Sequence, residues 1–346
     1  MKRLLLLLIF AWACAAPSPL PVATTSGAIA IANLDQLLSQ PGDELDRVDL
    51  LLTRARFLGD TDALERALQA AETAPLDQAA LLRRARVRAA VHRFADALVD
   101  LAAAERAGTR VTTERAMIAI ALGRPADALP ALHAELRRAP GYAAYSALAS
   151  AYAALGAFAT ADALYATALA SLHTTSHTTS PLPYAWLSFA RGLMWSEQAH
   201  APAAGERFYR EALRYLPAFY VAQVHLAELE AARGDLSSAL ARLAPLASAG
   251  DPEALGLLGR LHLRTRDPRA TPELATARAR YAALLSRLPL AFADHAAELL
   301  LSVGDPFAAA PLARLNLANR PTHRAASLVV RAALPALAEP PPDAFY

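Results

Sequence analysis

Apolar residues recur at the three-and-four spacing of helices along most of this chain, and glycine, proline or a short polar cluster interrupts them at intervals. The interruptions follow a rule. Gly123, Gly156, Gly234 and Gly304 each have a small residue seven positions before (Ala116, Ala149, Ala227, Ala297) and another five positions after (Ala128, Ala161, Ala239, Ala309). Pro140 and Pro321 stand seventeen positions after the first and last of them. The glycines are 33, 78 and 70 residues apart (156 − 123, 234 − 156, 304 − 234), which is one unit, two units with an insertion, and two units. Such a pattern predicts pairs of helices joined by tight turns. In the clearest unit, residues 142–171, Ala149, Ala161 and Ala168 stand where two helix backbones approach, while Tyr145, Tyr152, Phe158 and Tyr165 fill the grooves between them. Gly156 makes the turn, where positive φ or close backbone contact is cheap only for glycine.

The rest of the chain falls into phase with these anchors. Units are expected at 45–76, 78–108 with His92 in place of the turn glycine, 109–141, 142–171, 186–219, 220–250, 252–289 and 290–321. The unit 252–289 is the most degenerate and reads as broken by proline in its middle. A last helix from Ala325 to Leu337 would cap the stack, as repeat arrays require. A helix–turn–helix period near 34 resembles the tetratricopeptide repeat superfamily, with the likeness spanning roughly residues 45–337. The resemblance implies an all-α, right-handed superhelical solenoid of about eight repeats plus a capping helix over residues 43–338, with the first helix of each pair lining a concave groove that binds protein segments. Residues 173–183 would be an insertion, and residues 339–346, after the Glu339-Pro340-Pro341-Pro342 stop, a disordered tail. The uncharged stretch Ala139 to Ala161 is long enough to span a membrane. It nevertheless contains Pro140, Gly141 and Gly156 and obeys the repeat mask, so alanine-rich packing is the expectation.

The first residues bear on compartment. Lys2 and Arg3 precede an uncharged run from Leu4 to Phe10 and then small residues, the layout of a secretory signal peptide covering residues 1–13. About ten apolar residues there span only ~15 Å as helix, too short for a membrane anchor. Cys14, the only cysteine, falls at the cleavage point and resembles the lipobox of bacterial lipoproteins, which implies acylation of Cys14 and a flexible tether with a short helix over residues 14–42. Trp12 and Ala11 depart from that family's usual residues, and the alternative is that Ala11-Trp12-Ala13 is an ordinary cleavage site releasing a soluble protein. Ala15 after the cysteine resembles the outer-membrane sorting pattern, which implies a location on the periplasmic face of the envelope. Past Cys14 no thiol exists to form a disulfide or act as a nucleophile.

Composition adds two exclusions. With Lys2 and Arg3 removed, 32 basic residues balance 32 acidic ones, so the chain has no overall basic footprint for nucleic acid. No nucleophile elbow, zincin helix, phosphate loop or dinucleotide fingerprint is present, and no cofactor or enzymatic activity is expected.

Candidate binding chemistry is limited to side chains on first helices. His225 with Glu228, and His295 with Glu298, repeat a His-x-x-Glu spacing at equal phase. Arg260 stands at the matching phase between them, so Glu228, Arg260 and Glu298 are expected as a ladder, either a solvated row of ion pairs or a polar strip that reads a bound segment. The two histidine pairs, two repeats apart, are separated by ~20 Å and cannot share a metal. Arg83, Arg86 and Arg110, followed by Met117, form a second candidate face, with Arg191 and Met194 further along. Met117 and Met194 either grip apolar side chains or pack the core. His173 and His177 have helical metal-ligand spacing but lie in a duplicated HTTS linker without a nearby carboxylate.

Overall fold

A computed structural model of the chain describes residues 25–75, 77–174 and 180–333. The signal segment, Cys14, most of the tether, His177 and the tail after 333 lie outside the described residues. Among the described residues the architecture is all-α. Helix α1 (Gly27–Ser39) precedes eight hairpins: α2 (Val48–Leu58) with α3 (Thr61–Thr73), α4 (Gln78–Ala90) with α5 (Phe94–Arg106), α6 (Thr112–Ala121) with α7 (Pro125–Arg138), and α8 (Tyr142–Ala154) with α9 (Phe158–Thr174). The series continues with α10 (Leu182–Leu193) and α11 (Pro202–Tyr215), α12 (Tyr220–Ala232) and α13 (Leu236–Ser248), α14 (Pro252–Arg264) and α15 (Ala270–Arg287), and α16 (Pro289–Ser302) and α17 (Pro306–Asn319). Helix α18 (His323–Ala333) closes the stack.

The local causes are legible. All eight small residues flanking the four glycines are buried, so each hairpin closes with two backbones near contact. The α8–α9 turn divides the uncharged stretch, and among the described residues no helix is long and apolar enough to cross a membrane. Two expectations are corrected. Helix α9 runs to Thr174 and α10 starts at Leu182, so the fifth hairpin begins before residue 186. The seventh hairpin is not broken: Pro268 lies in its turn and Pro272 in the first turn of α15, where a missing N–H costs no helical bond.

Curvature follows from unequal packing. Successive first helices touch (α2 with α4, α6 with α8, α12 with α14, α14 with α16, α16 with α18), and no two successive second helices pack comparably. First helices therefore line the inside of the bend. The bend is tight enough to bring early and late repeats together. Phe57 meets Phe219 at 4.9 Å, the Arg56 guanidinium lies 5.0 Å over Trp186, and α2 packs on α12. Val91, Leu288 and Ala291 form a shared apolar cluster, and Arg287 pairs with Glu65 at 2.7 Å.

Candidate functional site: a charged inner face

The candidate residues must be placed one by one on this coil. Arg83 pairs with Asp46 at 3.3 Å, while Arg86 pairs with Glu114 at 2.8 Å and Asp49 at 3.4 Å. These are links between neighbouring first helices at the N-terminal end. Arg110 lies 3.5 Å from Glu135, and Met117 is exposed on α6. Met194 is fully buried among Ala168, Leu172 and Tyr184, so it belongs to the core and not to a binding face. Arg191 is corrected as well. It turns to Asp162 of α9, donating from Nε and Nη2 at 2.5 Å each, and stacks on Phe208 of α11 instead of entering the groove.

The other candidates converge. His225 on α12 sits 3.2 Å from Glu228, the partner its spacing predicts, and 3.2 Å from Glu197. Its ring stacks on Tyr209 at 5.5 Å. His295 on α16 has the same spacing to Glu298 but turns instead to Glu253 of α14 (3.4 Å) and Asp294 (3.9 Å). Glu298 is held by Arg331 of the capping helix. The expected ladder is thus redistributed: Glu228 serves a histidine, Glu298 serves α18, and half-buried Arg260 lies between them on α14. Arg324 of α18 reaches back to Glu197 at 2.8 Å, and Arg320 reaches Asp294 at 3.3 Å. One chain of charges therefore runs from the fifth hairpin to the cap.

Its electrostatics are mutual. Burial opposes charging of His225, but Glu228, Glu197 and Glu253 outweigh it and lift its pKa to about 9. Burial likewise opposes charging of His295, and Glu253 and Asp294 override it, again to about 9. Glu253, between them, would be raised by burial, yet His295 and His225 bring it down to about 2. Asp251 at the start of α14 is pushed up by burial to about 6. The network still touches water, with 18 % of the His225 side chain, 29 % of Glu253 and 42 % of His295 exposed. Among the described residues no group of three His, Cys, Asp or Glu side chains has the arrangement of a metal site. His173 lies 3.4 Å from the Tyr184 hydroxyl.

Glu197, Glu253, Asp294, Arg320, Arg324 and Arg331 were not among the residues singled out in the sequence. Glu253 was visible as an acidic residue in a first helical turn, but it stands outside the His-x-x-Glu phase. Glu197 sits in a π-helical turn (Met194–Gln198) that shifts the register of its helix, and Arg324 lies on the cap, beyond the repeat mask.

No family model matches the chain, and no curated protein matches it. Among solved structures it is similar to a human IFIT1 dimer with m7Gppp-AAAA (14% identity, 83% of this chain and 77% of that one, TM-score 0.43). It is also similar to the APC/C hetero-tetramer Cut9-Hcn1 (16% identity, 89% of this chain and 60% of that one, TM-score 0.44). A third is the P58(IPK) TPR domain (18% identity, 87% of this chain and 88% of that one, TM-score 0.24). All three scores fall below 0.5, and the solenoid assignment rests on the hairpin packing itself: the chain is an all-α stack of tetratricopeptide-type helical hairpins with a capping helix.

Proposed function

We propose that this protein is a non-enzymatic scaffold of the bacterial cell envelope that holds a protein or peptide segment against its inner face and is tethered through an acylated Cys14. The observation that carries the binding half is the convergence of His225, Glu253 and His295 from three successive first helices onto one face that water still reaches. Fixed donors and acceptors of both signs, spaced along a rigid bend, suit an extended segment better than a compact ligand. The tether rests on the sequence around Cys14.

Exchanging His225, Glu253 and His295 together for alanine should abolish crosslinked capture of the partner from native membranes while far-UV circular dichroism stays unchanged. Unaltered capture by a folded triple variant would remove this face from consideration. Cys14→Ser should lose acyl label and leave the membrane fraction. If it stays with membranes and no label is lost, the protein is held there some other way.

A further inference from the structure

A second charged feature lies away from the inner face, on α11 in the outer layer. Arg191, Arg207, Phe208, Arg210, Glu211 and Arg214 line an open cavity of about 340 Å³. That size is within the range of small-ligand sites. Four guanidinium groups and one carboxylate line it, and behind them Asp162 pairs with Arg191 while Glu206 and Glu230 pair with Arg210.

The cations are arranged, not merely crowded. Arg191 is immobilised by its two-point bond to Asp162, which also accepts from Trp195 Nε1 at 2.7 Å. The Arg191 guanidinium carbon then lies 4.3 Å from the centre of the Phe208 ring, and that of Arg207 lies 4.4 Å from the same centre. Phe208 is only 4% exposed and holds both groups in place. Arg207 makes no ion pair among the described residues. Arg210 is engaged by Glu206 at 2.7 Å, whereas Arg214, 76% exposed, has only a loose contact with Glu211 at 3.7 Å. Positions 207, 210 and 214 share one face of α11. Asp162 compensates Arg191, and Glu206 and Glu230 compensate Arg210, so Arg207 and Arg214 are the positive charges that an added anion would meet. Guanidinium forks match phosphate oxygens two at a time, and the two forks of Arg207 and Arg214, on one helix face, suit the several oxygens of a phosphoryl group better than a single carboxylate.

We infer that the cavity formed by Arg191, Arg207, Phe208, Arg210 and Arg214 binds the phosphoryl group of a phosphate ester. The ester is either a soluble molecule or a phospholipid headgroup. This site is independent of partner binding on the inner face, so failure of that reading leaves it standing.

The test uses the full chain carrying Cys14→Ser, so that no acyl chain contributes to vesicle binding. Glycerol 3-phosphate is titrated calorimetrically at low ionic strength, and sedimentation compares phosphatidylglycerol with phosphatidylcholine vesicles. Arg207→Gln/Arg214→Gln should weaken saturable binding about tenfold or more, whereas Arg106→Gln on exposed α5 should not. Arginine-dependent binding of glycerol 3-phosphate alone assigns a soluble ester. Arginine-dependent retention on phosphatidylglycerol vesicles assigns a headgroup. The inference is overturned by the absence of saturable binding to both probes, or by a double variant that binds as tightly as the parent.

Discussion

Eight residues with left-handed backbone hold the eight hairpin turns, and three of them are not glycine. Gly59, Gly123, Gly156, Gly234 and Gly304 have φ between 69° and 89°, while His92, His200 and Arg266 adopt 59°, 51° and 58°. A side chain in that region costs ~1–2 kcal/mol, partly offset by glycine's greater loss of freedom on folding. Arg266 is exposed, so Arg266→Gly should stabilise the protein by ~0.5–1 kcal/mol in urea unfolding. His92 differs, because its Nδ1 donates to the Leu290 carbonyl at 3.0 Å and its ring stacks on Phe94. His92→Gly should therefore give no gain, and an equal gain at both sites would refute this distinction. The glycine turns and His92 could be read from sequence because glycine marks positive φ and His92 held its phase. His200 and Arg266 could not, since neither residue type signals a left-handed turn.

At the scale of elements, the fifth hairpin is the irregular one, and it shapes the inner face. Its first helix ends in the π-helical turn, where the Ala199 N–H donates to the Met194 carbonyl at 2.9 Å, five residues back. That turn carries Glu197, the carboxylate joining His225 to Arg324. Across from it α10 and α11 approach so closely that a Cβ at Gly205 would lie 2.6 Å from Ser196 Cβ and 2.8 Å from the Gly192 carbonyl. Backbone is the obstacle, so relaxation is costly. Gly205→Ala should destabilise the fold by ~1–3 kcal/mol, read as a lower urea midpoint; a neutral result would mean that the crossing is looser than described. A regular 3.6-residue phase placed the other hairpins, although it read the seventh as broken by proline. It could not place Glu197, because a π-turn adds a residue without any compositional mark.

For the whole molecule, closure of the bend distinguishes this chain from an open solenoid. His92 bonds to Leu290, Asn319 donates to the His92 carbonyl at 2.9 Å, and Arg324 crosses to Glu197, so the turn of the second hairpin rests on the eighth and that of the fifth is met by the capping helix. Pairings of this kind depend on curvature accumulated over many repeats, which no local pattern encodes. The inner network gives closure a pH signature. His225 and His295 have folded pKa values of about 9, above the ordinary 6.5, so their stabilisation is complete below pH 6.5 and disappears as pH rises through about 9. Glu253, lowered to about 2, has finished titrating before that window, and Asp251, raised to about 6, overlaps only its acid edge. The melting temperature should fall between pH 7 and 9.5, and His225→Gln/His295→Gln should flatten that fall, with His225 contributing more because His295 is 42 % exposed. Parallel slopes in the two proteins would contradict the assignment. The central claim is that the inner face is where a partner lies. Its most direct test places a photo-crosslinking residue at Glu228 or Glu298, and in a separate variant at Val99 on the outside, in cells that make the protein naturally. A protein adduct from the inner positions and none from Val99 is the predicted result; adducts from Val99 alone, or equally from all three, would contradict it.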